Sequence, residues 1–462
     1  MIPILTPAEM GSVDAAAPEP LEVLVGRAGA AVARAALDLL GGAYGRRVVV
    51  IAGPGNNGAD GRVAADGLSR RGVRVEVLEA GDLPAVLPAC DLVVDAAYGT
   101  GFRGAWRAPD ADGAPVLAVD IPSGVDGLTG VVGEGTEPLQ AWRTVTFAAL
   151  KPGLLLDRGA ELAGEVTVAD IGLDVSGATA HLVTDADVAA WLPERPPSSH
   201  KWRSAVWVVA GSPGMAGAAA LAAGGAQRTG AGYVRVSSPG GLPGEGIPTE
   251  AVGTELPAEG WAAEALADQD RFGALVAGPG LGTADATATE VRRLLAGSTV
   301  PVVADGDALT ALGTDVARYV TARTVLTPHD GELVRLTGAA PSADRLGEAR
   351  SLAAAAGCTV LLKGSTTVVA APDGRVLVTT TGDARLATAG TGDVLAGAIA
   401  ALLASGLDPL RAAAAAAHLH GRAGTLGWRR GLVAGDLVDL LPAAIDRLDR
   451  LDPPAPAGGS PR

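Results

Sequence analysis

Residues Arg385 to Gly406 read RLATAGTGDVLAGAIAALLASG, and the rest of the chain can be read outward from them. Gly390 and Gly392 lack a Cβ, so the backbone can tighten there and present successive N–H groups to an anion. The apolar run from Val394 to Ala404 has the character of a helix, with Gly406 as its C-cap. A glycine loop feeding a helix offers unpaired N–H groups and the positive helix end, both of which favour phosphate. Asp393 stands where a carboxylate can take a proton from a bound hydroxyl, so the stretch points to phosphoryl transfer. Spacing alone equally allows a plain glycine turn with Asp393 as its N-cap.

The length, 462 residues, allows two to four domains, and 48% hydrophobic residues supply sizeable cores. No apolar run approaches the roughly 18 to 20 residues that a membrane span needs. The N-terminus, MIPILTPAEMGSVDAA, has no basic segment followed by a long apolar core, and a cytoplasmic protein is the expectation. Cys90 and Cys358 are the two cysteines, far apart in apolar surroundings, which excludes a disulfide framework and a cysteine metal site. A net charge of -15 opposes nucleic-acid binding, and no basic patch offsets it. Small-molecule substrates are the expected partners, and self-association is left open.

Pro20 to Leu40 carries apolar residues at helical spacing. After it, RRVVVIAGPGNNGADGRVAADGLSRRGVRVEVLEA reads as a strand Val48 to Ala52, a polar glycine loop Gly53 to Gly61, a helix from about Gly61 to Arg70 and a strand Val73 to Leu78, a βαβ unit. GPGNNG meets the GxGxxG pattern without the acidic partner of a dinucleotide fingerprint. Asn56, Asn57 and Asp60 nevertheless place three polar groups at the carboxyl end of a strand, where open α/β sheets bind ligands. Two later strands end in Asp95 and Asp120, each followed by a glycine turn (Gly99 to Gly104, and Pro122-Ser123-Gly124). Asp95, Asp120, Asn57 and Ser123 could therefore converge on one oxygen-rich site suited to an alkali or alkaline-earth cation; the plainer alternative is that each Asp caps a turn.

GNNGADG, DAAYGTG and DIPSGVDGLTG, followed by TVTFAALKPG, resemble the NAD(P)H-hydrate epimerase domain in motif and order, over about residues 20 to 175. The resemblance implies a Rossmann-like three-layer α/β/α fold and a K+ ion held by Asn57, Asp95 and Ser123. It also implies substrate contacts from Asn56, Asn57, Gly58, Ala59 and Asp60 and from Gly99, Thr100, Gly101, Phe102, Arg103, Gly104 and Ala105. Asp120 takes the place of the substrate-binding, proton-transferring carboxylate. Ala59 replaces a glycine usual in the first loop, and 103–115 is short for the helix expected between the two acidic strands.

Prolines 193, 196 and 197 within Leu173 to Ser199 mark the domain boundary, giving an N-terminal domain over 1–185, a linker over 186–199 and a second domain over 200–450. The α/β alternation restarts with a strand Ala205 to Ala210, a small-residue helix and a strand Tyr233 to Ser237, and Ser238 to Glu259 reads as loop. Strand after strand then ends in a short polar turn, which argues for a largely parallel sheet with its site along the carboxyl edge. His418 and His420, at i, i+2 in an alanine-rich helix, do not share a face and read as structural. The tail PPAPAGGSPR over 451–462 has no apolar periodicity and reads as disordered.

HKWRSA, LTPHDGEL, LLKGSTT and AGTGDVLAG together resemble the ribokinase superfamily, specifically the NAD(P)H-hydrate dehydratase domain, from about His200 to Leu441. The resemblance assigns Lys363, Gly364, Ser365, Thr366, Thr367 and Gly392 to a nucleotide, and Ala218, the Gly280 region, His329 and Asp393 to the hydrated nicotinamide. It implies a two-domain repair enzyme: one half interconverts the R and S hydrates of NADH and NADPH, and the other dehydrates the S form with ADP and Mg2+, giving NAD(P)H, AMP and phosphate. Asp393 would deprotonate the ring hydroxyl, which leaves as phosphate. The residues do not separate ADP from ATP. The alternatives are a ribokinase-like vitamin-precursor kinase that leaves a stable phosphorylated product, and an N-terminal half that is a noncatalytic nucleotide-binding module.

Overall fold

A computed structural model describes residues 1–241 and 246–449, so the proposed tail at 451–462 lies outside the described residues. The chain divides into two compact units, Ile2–Ala180 and one formed by Met1 with the residues from His181 onward.

In the first unit six strands form one parallel sheet, in the spatial order Arg74–Glu79, Arg47–Ala52, Leu92–Ala96, Val116–Val119, Arg143–Phe147, Glu165–Ala169. The strand order reverses between Arg47–Ala52 and Leu92–Ala96, and such a switch point opens a crevice at the carboxyl ends of the strands. Alternation sorts the side chains: Val48 and Val50 pack with Leu24, Ala28, Val32 and Ala36 of helix Leu21–Leu40, whereas Val49 and Ile51 face the opposite side with Leu87 and Trp106. That second side is covered by residues 80–91 and 97–115, which carry turns and isolated bridges (Val86 with Asp110, Arg107 with Glu137) in place of the helix expected at 103–115.

The helix after the first strand spans Asn56–Ser69 and not Gly61 to Arg70. Asn56, Asn57 and Asp60 therefore stand on its first turns and not in a loop. Gly58 is required by close approach, since a Cβ there would lie 1.9 Å from the carbonyl oxygen of Gly53.

In the second unit the strands Thr359–Leu362, Thr324–Leu326, Val302–Ala304, Ala274–Ala277, Ala205–Val209, Tyr233–Ser237 and Val252–Gly253 run parallel in that order. Thr367–Ala370 and Val376–Thr379 extend the Thr359 edge antiparallel. One face is covered by the helices Ala216–Arg228, Thr391–Ala404, Pro409–Leu426 and Ala434–Asp449. The abundance of Ala and Gly has a structural use here. Helices Ala216–Arg228 and Thr391–Ala404 meet backbone to backbone, and a Cβ on Gly397 would sit 1.9 Å from the Ala222 carbonyl oxygen.

The segment read as a linker, 186–199, includes most of helix Asp185–Trp191, and the division of the chain falls at 180/181 rather than at 185/186. The helix opens with a capping box in which Thr184 and Asp187 satisfy each other's backbone N–H groups. Asp185 then accepts from His418 Nε2 at 2.6 Å and from Arg422 at 2.6 Å, which ties this helix to the second unit.

Candidate active sites

The carboxyl edge of the first sheet holds a cavity of about 520 Å³ at the switch point. Asn56, Asn57, Asp60, Gly99, Thr100, Gly101, Phe102 and Asp120 line it, while Gly58, Ala59, Arg103, Gly104 and Ala105 stand outside the lining. Arg103 donates to the carbonyl oxygen of Phe102 at 2.7 Å. Three charged lining residues had no role assigned from the sequence: Lys151, within the TVTFAALKPG motif, Asp14 on helix Pro7–Ala15, and Glu19.

Asp120 is held in a left-handed backbone conformation (φ 67°), a strained setting for a non-glycine residue that fixes where its carboxylate points. Lys151 Nζ lies 2.6 Å from Asp120 Oδ1 and donates to Thr146 Oγ1 at 2.8 Å; Thr146 Oγ1 is 3.1 Å from the same carboxylate oxygen. With Lys151 only 2% exposed, its ammonium is largely withdrawn from water and has Asp120 as its counter-ion. Asp60, 7% exposed, accepts no hydrogen bond among the described residues; burial, reinforced by Asp120 and Asp14, pushes its carboxyl up to about 8. Partial desolvation at the cavity wall raises the carboxyl of Asp14 as well, although that residue is exposed.

Asp95 is fully buried and accepts from Ser123 Oγ at 2.6 Å, Ser123 N at 3.0 Å and Ala97 N at 3.3 Å. Asn57, 8% exposed, leaves both amide atoms without a partner, and its side chain lies against Gly99. Orphaned buried polar atoms are costly, so a ligand-shaped need exists at Asn57. The described residues contain no cluster of three or more His, Cys, Asp or Glu side chains able to hold a metal ion. An amide oxygen, a serine hydroxyl and one carboxylate fit a weakly held monovalent cation and not a transition metal.

In the second unit the AGTGD loop forms as its glycines dictate. Gly390 takes φ 90° and is an N-cap without a side-chain bond, so Asp393 is the third residue of helix Thr391–Ala404 and does not cap it. The first N–H groups of that helix are thus free of any side-chain cap, the condition for binding an anion. Beside them, Lys363 Nζ lies 2.8 Å from Asp305 Oδ1 and 3.4 Å from Glu332 Oε2, and a Cβ on Gly392 would be 3.5 Å from that ammonium. Thr327 Oγ1 donates to Asp305 at 2.7 Å, and Asp307 accepts from Gly282 N at 2.8 Å. Burial, with the negative charges of Asp305, Asp307 and Glu332 added, pushes Asp393 up to about 7 against the opposing effect of Lys363.

The structure thus brings Lys363, Gly392 and Asp393 together and adds Glu332 of LTPHDGEL with Asp305 and Asp307, which follow the strand Val302–Ala304. Gly364 and Ser365 are exposed beside Lys363, whereas Thr366 is buried and Thr367 opens the next strand. Ala218 and Gly280 are neighbours, since a Cβ on Gly280 would lie 3.1 Å from that of Ala218. His329 caps helix Asp330–Thr337: its Nδ1 accepts from Gly331 N at 3.0 Å and Glu332 N at 3.3 Å. His418 and His420 are structural as expected, His420 bonding the Thr391 carbonyl oxygen at 3.0 Å beneath the loop, where burial pushes its imidazole down to about 4.

Lys363→Met leaves Asp305 and Glu332 without their cation beside Asp393. The Asp393 carboxyl then rises further, and its titration, followed by NMR of the side-chain carboxyl, moves to higher pH.

The geometry defines two α/β units, one with a switch-point cavity holding a lysine-paired aspartate, the other a ribokinase-like sheet with an anion-binding helix start beside a raised aspartate. The family described as NAD(P)H-hydrate dehydratase matches residues 206–446, and the family described as YjeF-related protein N-terminus matches residues 21–86 and 79–153. The bifunctional NAD(P)H-hydrate repair enzyme Nnr of Moorella thermoacetica is 38% identical, over 96% of this chain and 97% of its own. The corresponding protein of Salinibacter ruber is 37% identical over 95% of each. A ribokinase-like superfamily protein from Enterococcus faecalis shares the fold of the second unit at a TM-score of 0.51 and 22% identity, over 58% of this chain and 96% of its own. The chain belongs to the bifunctional NAD(P)H-hydrate repair enzymes.

Proposed function

We propose that the first unit epimerises hydrated NADH and NADPH at the Asp120 cavity, and that the second dehydrates the S hydrate at Asp393 with ADP as donor, both in the cytoplasm. The hydrate carries a hydroxyl on a saturated ring carbon, and hydroxide is a poor leaving group. Asp393 takes the hydroxyl proton as the oxygen attacks the terminal phosphorus of ADP and AMP departs; the C–O bond of the new ester then breaks, phosphate leaves as the nitrogen lone pair forms C=N, and loss of a proton from the adjacent ring carbon to water restores the ring double bond. The uncapped helix start at Gly392 and Asp393 receives the transferred phosphoryl, and Lys363 with Gly364, Ser365, Thr366 and Thr367 holds the rest of the nucleotide. Magnesium would enter with the phosphates, since Asp305 and Glu332 are engaged by Lys363 and Asp307 by the Gly282 amide. The observation that carries the reading is the placement of Asp393, with a carboxyl pushed up to about 7, in the first turn of a helix whose N-terminal amides no side chain caps.

In the epimerase half, Asn57, Asp95 and Ser123 would hold K+, which supplies a fixed positive charge beside the substrate. The unpartnered amide of Asn57 supports this reading. Asp95→Ala should slow epimerisation and make it more dependent on added potassium, because the site loses charge and a ligand. Epimer ratios followed by chromatography without nucleotide, in potassium and in a bulky-cation buffer, test it. A wild-type rate equal to the spontaneous rate in potassium would instead favour a noncatalytic binding module.

A further inference from the structure

The cavity of the first unit contains more carboxyl groups than one proton-transfer aspartate needs. Asp14, Asp60 and Asp120 all line it, and Lys151 is the one ammonium among its lining residues. That ammonium is committed to Asp120 at 2.6 Å, and Glu19, the remaining acid of the lining, pairs with Arg27 at 3.2 Å. Asp14 is solvent-exposed, whereas Asp60 is 7% exposed and accepts no hydrogen bond among the described residues. A buried carboxyl with no donor, facing a second carboxylate that owns the only nearby ammonium, keeps its proton. Asp60, on the helix that follows Arg47–Ala52, and Asp120, after Val116–Val119, come from opposite sides of the strand Leu92–Ala96 and line the same cavity.

We propose that Asp60 is the general acid of the epimerase, delivering its proton to the departing hydroxyl while Asp120 takes a proton from the water that adds to the other face. This rests on the epimerase reading above. Water adds to the enamine of a reduced nicotinamide with its hydroxyl on the carbon beside the ring nitrogen. Asp60 gives its proton to that hydroxyl, the C–O bond breaks, and the nitrogen lone pair forms a C=N bond as water departs. A second water then bonds to the carbon from the opposite face, its proton passing to the Asp120 carboxylate as the C=N electron pair returns to nitrogen. The net result is an inverted carbon and one proton moved from Asp60 to Asp120, which exchange with water in the open cavity reverses. No electron is gained or lost.

The test follows the approach to epimer equilibrium by chromatography, without nucleotide and in potassium, between about pH 5.5 and 9.5, a window spanning the acid's titration. Wild-type activity should fall as pH rises through about 8, where Asp60 loses its proton. Asp60→Asn should slow epimerisation on the order of 100-fold or more and abolish that alkaline fall. Asp60→Glu should keep both part of the rate and the fall. Asp14→Asn, by removing a negative neighbour, should move the fall to lower pH. A melting transition of the first unit at the wild-type temperature reports that each variant is folded. An Asp60→Asn rate near wild type, or an alkaline fall that persists in it, overturns the assignment. A wild-type protein that leaves the epimer ratio at its spontaneous rate overturns the epimerase reading itself, and the proposal with it.

Discussion

Asp393→Asn is expected to abolish dehydration of the hydrate while nucleotide binding remains measurable. The amide keeps the size of the carboxylate but cannot accept the hydroxyl proton, and loss of a positioned general base costs roughly 100- to 10,000-fold. In the wild-type protein the base must be ionised, so dehydration falls as pH drops through about 7, where burial and the neighbouring acids place this carboxyl. Stability moves the opposite way. A carboxyl at about 7 when folded and near 3.8 when unfolded binds more protons in the folded state between those values, so its ionisation weakens the fold as pH rises across that window. Asp393→Asn should therefore melt at a higher temperature than wild type above pH 7, with the difference closing toward pH 4. A variant that is inactive yet more stable separates loss of chemistry from loss of structure. Near-wild-type turnover would remove Asp393 from its role.

Asp120→Asn stops interconversion of the two epimers and leaves dehydration of the S form intact. Its effect exceeds that of a lost proton acceptor because Lys151, 2% exposed and 2.6 Å from the carboxylate, is left as a buried ammonium without its counter-ion. Breaking a buried pair from one side costs about 3–5 kcal/mol, so a lower melting temperature of the first unit should accompany the lost activity. Lys151→Met in the Asp120→Asn background should restore much of that stability without restoring epimerisation, because both charges are then gone. Thermal melts of the single and double variants, with epimer ratios measured beside them, check both halves of the expectation.

Much of the fold could be read from the sequence because its signals are local. The 3.6-residue spacing over Leu21–Leu40 and the β-branched runs before each glycine turn need no tertiary information. The helix start at Asn56 escaped because NNGADG has the composition of a turn, and packing against helix Leu21–Leu40 and the sheet overrides that propensity. Helix Asp185–Trp191 carried a readable signal, Thr184 followed three residues later by Asp187, overshadowed by the prolines that follow. The missing parts of the sites are of another kind. Nothing local marks Asp14, and the TVTFAALKPG motif that contains Lys151 does not show that its ammonium meets Asp120; both reach the cavity from segments distant in sequence. Glu332 lies in a motif the sequence picks out and Asp305 just after a strand, but that both clamp Lys363 is a fact of the third dimension.

Both halves working on one substrate pool can be read in a single trace. The protein is added to a mixture of R and S hydrates of NADH with ADP, Mg2+ and potassium, and the near-ultraviolet absorbance of the reduced nicotinamide is followed. The account predicts that absorbance returns in proportion to the whole hydrate pool, and that it stops at the S fraction, apart from slow spontaneous epimerisation, when Asp120 is replaced by Asn. Absence of any return, or phosphorylated hydrate accumulating as a stable product, would contradict it and leave a small-molecule kinase in its place.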